Sequence, residues 1–114
     1  MTFDALRSSD AGIALVGGAG EEFGRILRAN QQFATLLARP LDTLVGTAVW
    51  EHLHADDREE ARASFKNLIA DVLVSYEKDV RLLAADGPPL HVRSFASSIA
   101  TASGPAIVLR VAPL

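Results

Sequence analysis

ILRANQQFATLLARPLDTLVGTAVWEHLHADDREEARASF, running from Ile26 to Phe65, is the stretch whose reading decides the fold. With Arg25 before it, its opening is a strand in which Arg25, Leu27 and Ala29 alternate with Ile26 and Arg28. Asn30 is a helix N-cap, its side chain placed to accept the free amide of Gln32 or Phe33. Phe33, Leu36 and Leu37 then share one side of a helix that Pro40 ends. Leu41, Leu44 and Val45 predict a single-turn helix closed by Gly46, and Thr47 is the expected cap of a further turn carrying Val49, Trp50 and Leu53. At His54-Ala55-Asp56-Asp57 the longest helix begins, with Asp57 as its expected N-cap and Glu60 completing a capping box. Ala61, Phe65, Leu68, Ile69, Val72 and Leu73 recur at helical spacing, and Arg58, Arg62 and Lys66 fall on the wet side.

Strands flank this stretch. Gly12–Gly17 carries the apolar run Ile13-Ala14-Leu15-Val16, stopped by Gly17-Gly18-Ala19-Gly20. That glycine run lacks phosphate-loop spacing and is followed by Glu21-Glu22, which repel a phosphate, so it reads as a loop. After the long helix, Tyr76–Ala85 and Leu90–Ala100 alternate around Asp86-Gly87-Pro88-Pro89, and Ala106–Val111 closes the chain. The result is an α+β module: five strands in a mostly antiparallel sheet, with short helices and one longer helix on one face. Residues 1–11 read as a lead-in or cap, and residues 12–112 as a single domain.

Composition narrows the function classes. The chain has 114 residues, 49% hydrophobic, enough for one core. A net charge of −3 with dispersed Lys and Arg gives no footprint for nucleic acid. The absence of cysteine removes disulfides, thiolate nucleophiles and thiolate metal sites. Ile13-Ala14-Leu15-Val16 is too short to span a bilayer, so no membrane insertion and a cytoplasmic location are expected. The three histidines have no metal-ligand spacing.

Four motifs in this order resemble the PAS domain family, the sensory and interaction module of signalling proteins. They are Gly24-Arg25-Ile26-Leu27-Arg28-Ala29-Asn30-Gln31-Gln32-Phe33, Leu36 through Gly46, His54-Ala55-Asp56-Asp57, and Asp86-Gly87. The resemblance spans about residues 12–112. Ala55 stands where the family has proline, and Ala38 where glycine is common. The resemblance implies a non-catalytic domain that regulates an effector in a longer signalling protein, with a homodimer and a small molecule in the core as expected partners. The flavin branch needs an Asn-Cys motif, and this chain has no cysteine. The haem branch offers a histidine on the long helix, and Arg58–Val74 has none. Covalent flavin and haem are therefore not expected.

A pocket between sheet, connector and long helix would be lined by Leu27, Leu37, Leu44, Trp50, Phe65, Ile69, Val80, Val92 and Ser94; the same residues also read as a filled core. Phe95, Ile99 and Ile107 are the expected dimer face, and Asp56 is the expected partner of Arg39. Two other functions compete. One is a solid-core dimerisation module without ligand. The other is a small enzyme built around His91, Asp79 and Arg93, but no nucleophile joins those residues.

Overall fold

The computed structural model describes residues 11–114, so the expected lead-in lies, apart from Ala11, outside the described residues. The strands are β1 (Gly12–Gly17), β2 (Ile26–Ala29), β3 (Ser75–Leu82), β4 (Leu90–Thr101) and β5 (Gly104–Pro113), and the α-helices are α1 (Gln31–Leu37) and α2 (Ala55–Ile69). Single 3-10 turns occupy Gly20–Glu22, Leu41–Thr43 and Val49–His52. The five strands form one antiparallel sheet in the order β2-β1-β5-β4-β3. This is the α+β architecture that the strand and helix periodicities imply. β4 and β5 run longer than expected, paired from Val92↔Pro113 to Thr101↔Gly104.

The inner face carries Ala14, Val16, Ile26, Val80, Val92, Ala96, Ile107, Leu109 and Val111, packed against Phe33 and Leu37 of α1 and Ala61, Phe65 and Leu68 of α2. Small residues on β4 let α2 approach: Ser94 and Ala96 are buried beneath it. Gly24, at φ 82°, lets the backbone lie flat against Trp50, since a Cβ there would sit 2.2 Å from the indole.

Asn30 joins sheet to helix. Its Oδ1 accepts from Phe33 N and from Ile13 N, both at 2.9 Å, while its own N–H donates to the Ile13 carbonyl. One side chain thus caps α1 and extends the β1–β2 ladder by a pair of bonds.

Other boundaries differ from the local expectations. Helix α1 ends not at Pro40 but at Ala38, which adopts the left-handed conformation (φ 54°) and donates to the carbonyls of Ala34 and Thr35. An alanine there is strained by about 1–2 kcal/mol, the reason glycine is usual at such an end. Helix α2 starts one turn earlier in role than expected: His54 is the cap, its Nδ1 accepting from Asp56 N at 3.1 Å. It also stops at Ile69, because Asp71 turns left-handed (φ 62°) and Asn67 O takes the amides of Val72 and Leu73; Val72 is left exposed. Thr47 caps nothing with its hydroxyl, which donates to Leu44 O, and Glu51 instead receives the Ala48 amide. Val45, expected to anchor its turn, is exposed.

The segment from Gly46 to His54 reaches both sheet edges, along β2 and at the C-terminal end of β3. On the β2 side Gly46 N donates to Ile26 O, Ile26 N to Thr47 O, and Val49 N to Gly24 O. On the β3 side Leu83 N donates to His52 O and His54 N to Arg81 O. β3 ends at Leu82, short of the expected Ala85, whose amide donates to Leu37 O instead.

Replacing Asn30 with alanine removes the cap and leaves the Ile13 amide without its partner. A loss of about 2–3 kcal/mol is expected, read as a lower urea midpoint at unchanged slope.

Candidate functional site

Between sheet, connector and α2 lies an internal cavity of about 20 Å³, room for about one water molecule. Its walls come from Phe33 of α1, Val49, His52 and Leu53 of the connector, and Ala61 and Phe65 of α2. Across from them stand Tyr76, Val80 and Leu82 of β3, Ser94 and Ala96 of β4, and Leu109 and Val111 of β5. The three polar residues of this wall are all engaged. Ser94 Oγ donates to Lys78 O at 2.8 Å, Tyr76 Oη to Glu60 Oε2 at 3.2 Å, and His52 Nε2 lies 2.9 Å from Thr47 Oγ1. Among the described residues no buried side-chain nitrogen or oxygen lacks a partner. The cavity therefore offers carbon surface and no aligned nucleophile and base.

Of the nine residues read as pocket lining, Phe65, Val80 and Ser94 reach this cavity. Leu37, Leu44, Trp50 and Val92 lie in the core around it. Ile69 packs against that core but also lines an outer groove with Ser98, Ile99 and Pro105. Leu27 is off the inner face: β1 pairs Leu15 with Arg28 but Val16 with Ile26, so Leu27 is the extra residue of a bulge and joins Leu15 and Ala106 in another surface groove. Phe33, Val49, Leu53 and Tyr76 were not in that set; their alternation and helical spacing mark them as core, but nothing local says which core residues border a void.

Of the residues read as a dimer face, Phe95 and Ile99 are on the outer face, 37% and 39% exposed. Ile107 is not: it is fully buried (0%), because the inner-facing set on β5 is Ile107, Leu109 and Val111.

Trp50 is an anchor. Phe23 and Phe65 pack on it at centroid distances of 5.7 and 5.2 Å, and the Arg62 guanidinium lies 5.5 Å above the ring. Asp57, expected as a cap, reaches across to β3. Its Oδ2 accepts from Arg81 N and Nε at 2.9 and 3.1 Å, and Oδ1 from Nη2 at 3.0 Å. The bond from the Arg81 guanidinium, more than offsetting burial, holds the Asp57 carboxyl below the usual range. Arg81 is thus the salt-bridge partner in this region. Asp56 is exposed, 3.8 Å from His54 Nδ1, and Arg39 stands near enough to His52 to help burial depress that imidazole. Arg93 forms exposed ion pairs with Asp79 (2.7 Å) and Glu77 (3.1 Å), a charge ladder rather than a cleft. Among the described residues no three His, Asp or Glu side chains gather as a metal site.

The PAS fold family model matches residues 26–111. No curated protein sequence matches the chain. Among solved structures, the PAS domain of the HTR-like protein from Haloarcula marismortui is 16% identical with a TM-score of 0.74, over 94% of this chain and 84% of that one. The PAS domain of nitrogen regulation protein NR(II) from Vibrio parahaemolyticus is 14% identical with a TM-score of 0.73, each chain covered fully. Drosophila melanogaster Cycle PAS-B with bound ethylene glycol is 17% identical with a TM-score of 0.75, over 90% and 99%. The chain belongs to the PAS fold family. It is a sensory and interaction module of that family. Haem and flavin do not fit the interior as it stands, since ligand pockets of that size class run to about 300 Å³ or more.

Asp57 accepts three hydrogen bonds from Arg81, one from its edge amide and two from its guanidinium, and Asp57→Asn is expected to lower the urea midpoint at pH 7. The sign with pH follows from the depressed carboxyl: its contribution is full above about pH 4 and is lost as the pH falls through and below that value. The difference between parent and D57N should therefore shrink in acid, as urea melts at pH 7 and pH 3 will read.

Proposed function

We propose that this PAS module regulates an effector joined to it in a longer, cytoplasmic signalling chain, and that it works as a homodimer formed across the outer face of its sheet. The supporting observation is that face. The core residues of α1 and α2 pack with the inner face, while on the outer face Ile13, Leu15 and Val108 lie half-buried beside exposed Phe95 and Ile99. Register sets Phe95 beside Arg110 and Glu77, and Ile99 beside Ala106, so the apolar strip is edged with both signs of charge. An apolar centre with a charged rim is the composition of a protein interface. No helix among the described residues is long and apolar enough to cross a membrane.

The test is sedimentation of the parent and of Phe95→Glu. The parent is expected to dimerise and the variant to sediment as a monomer. A dimer unaffected by F95E, or a parent that stays monomeric at high concentration, overturns the reading.

A second reading, a small ligand in the core, is favoured by the carbon-lined cavity itself. At about 20 Å³ that void must widen to hold even a molecule the size of the ethylene glycol bound to Cycle PAS-B. Native mass spectrometry of gently purified protein is therefore expected to give the bare polypeptide mass. A retained small molecule would favour the ligand reading over a solid core.

A further inference from the structure

We propose that the outer-face dimer is keyed by charge: Arg110 of one copy pairs with Glu77 of the other, across a two-fold axis that runs along the strands. This pairing rests on the outer-face homodimer proposed above and adds the orientation in which the two copies meet.

Arg110 is the starting point. It is exposed, and among the described residues its side chain has neither an ion-pair nor a hydrogen-bond partner. Its neighbours across the ladder are apolar, Ile13 on β1 and Phe95 on β4. A second copy laid on this face takes water away from the guanidinium, and an unpaired charge in that position is costly. The covering surface therefore has to bring an acid.

The five strands hold two acidic residues, Glu77 and Asp79, both on β3. They share one cation, Arg93, at 3.1 and 2.7 Å, which leaves the cluster one negative charge in excess. Glu77 is opposite Phe95, so one row across the sheet reads Ile13, Arg110, Phe95, Glu77. Two strand spacings, about 10 Å, separate Arg110 from Glu77 within the chain, with the phenyl ring between them. The excess positive and negative charges of the face thus flank its exposed aromatic and do not meet internally.

Symmetry decides how they meet externally. Two sheets packed face to face in the aligned mode keep their strands within about 30°, and the two-fold relating them runs either across the strands or along them. Across the strands, each strand lies over its own copy, and β5 never meets β3. Along the strands, the row is reversed. With the axis on β4, Arg110 lies over Glu77 of the partner subunit. With the axis shifted half a spacing toward β5, Arg110 lies over the partner's Phe95 with the partner's Glu77 beside it, within reach of the long arginine side chain. Either placement forms the pair twice, as a closed two-fold interface requires. Arg93 also lies on β4, but its bonds to Asp79 and Glu77 draw its guanidinium toward β3 and off the axis.

Sedimentation of Arg110→Glu and Glu77→Arg, each alone and mixed in equal amounts, tests this beside the parent and F95E. Each reversal alone sets like charges together and is expected to weaken the dimer at least about tenfold. The mixture should form a heterodimer of near-parental affinity, because both pairs return with their signs exchanged. The milder variants R110A and E77Q close a cycle that stands even if a reversal fails to fold: each weakens the dimer, and the double variant is no weaker than the worse of the two. A parent dimer that F95E breaks but the reversals leave unchanged, a mixture that forms no heterodimer from folded variants, or losses that simply add in the double variant would overturn the pairing and leave the outer-face dimer standing. A parent that stays monomeric gives the face to another occupant and overturns both.

Discussion

A five-stranded sheet has two unsatisfied edges, and here a single nine-residue path, Gly46 to His54, bonds to both, along β2 and at the C-terminal end of β3. The path crosses the inner face, hooking β2 through Gly46, Thr47 and Val49 and β3 through His52 and His54. Unpaired edge amides and carbonyls are a liability toward other chains, so the covering segment has to stay docked. Trp50 sits midway along it. The indole is wedged between Phe23 and Phe65 and rests on the Cα of Gly24, which fixes how far the path stands from the sheet. Asp57 completes the β3 side by accepting the Arg81 amide.

The same path sets the volume of the interior. With the connector pinned at both ends and α2 seated on the small residues of β4, the space between them is filled nearly to protein density, leaving about 20 Å³. The polar groups at the wall point their hydrogen bonds into the scaffold: Ser94 to β3, Tyr76 to α2, His52 back to the connector. They stiffen the boundary, and so the hydrogen bonds at the wall are among the features that hold the core shut.

The parts legible in the sequence are those whose cause is local. Strands β3 and β4 alternate cleanly around Asp86-Gly87, and Asn30 carries its capping role within three residues. The second bond of Asn30, to Ile13, is seventeen residues distant, and the partner of Asp57 is twenty-four residues away on β3. A capping box at Asp57 satisfies every short-range rule, yet a guanidinium brought near by the sheet outcompetes it. Parity failed for two definite reasons. Leu27 shares its alternation with Ala29, which packs on the core, and the bulge opposite Leu15/Val16 breaks that alternation. Ile107 belongs to a run that is apolar on both faces, so nothing in Ala106-Ile107-Val108-Leu109 says which residues point in. The ends of α1 and α2 are not legible locally, because Ala38 and Asp71 take left-handed geometry without being glycine.

What joins the two faces of the molecule is the thinness of the sheet. Ala96 of β4 and Leu109 of β5 are paired neighbours lining the cavity, and the next pair along the ladder, Phe95 and Arg110, belongs to the opposite face. Successive residues of a strand share one pleat, so widening the cavity cannot shift Ala96 and Leu109 without turning Phe95 and Arg110 as well. A nearly full core makes this coupling stiff: with little free volume to absorb a displacement, a change at the inner wall is passed outward rather than dissipated. The connector is the compliant part by contrast, since its hold on β3 is two backbone bonds and one bridge at an edge. A perturbation that loosens that hold and one that widens the cavity converge on the same wall, because His52 and Leu53 border the void that Ala96 and Leu109 close from the other side.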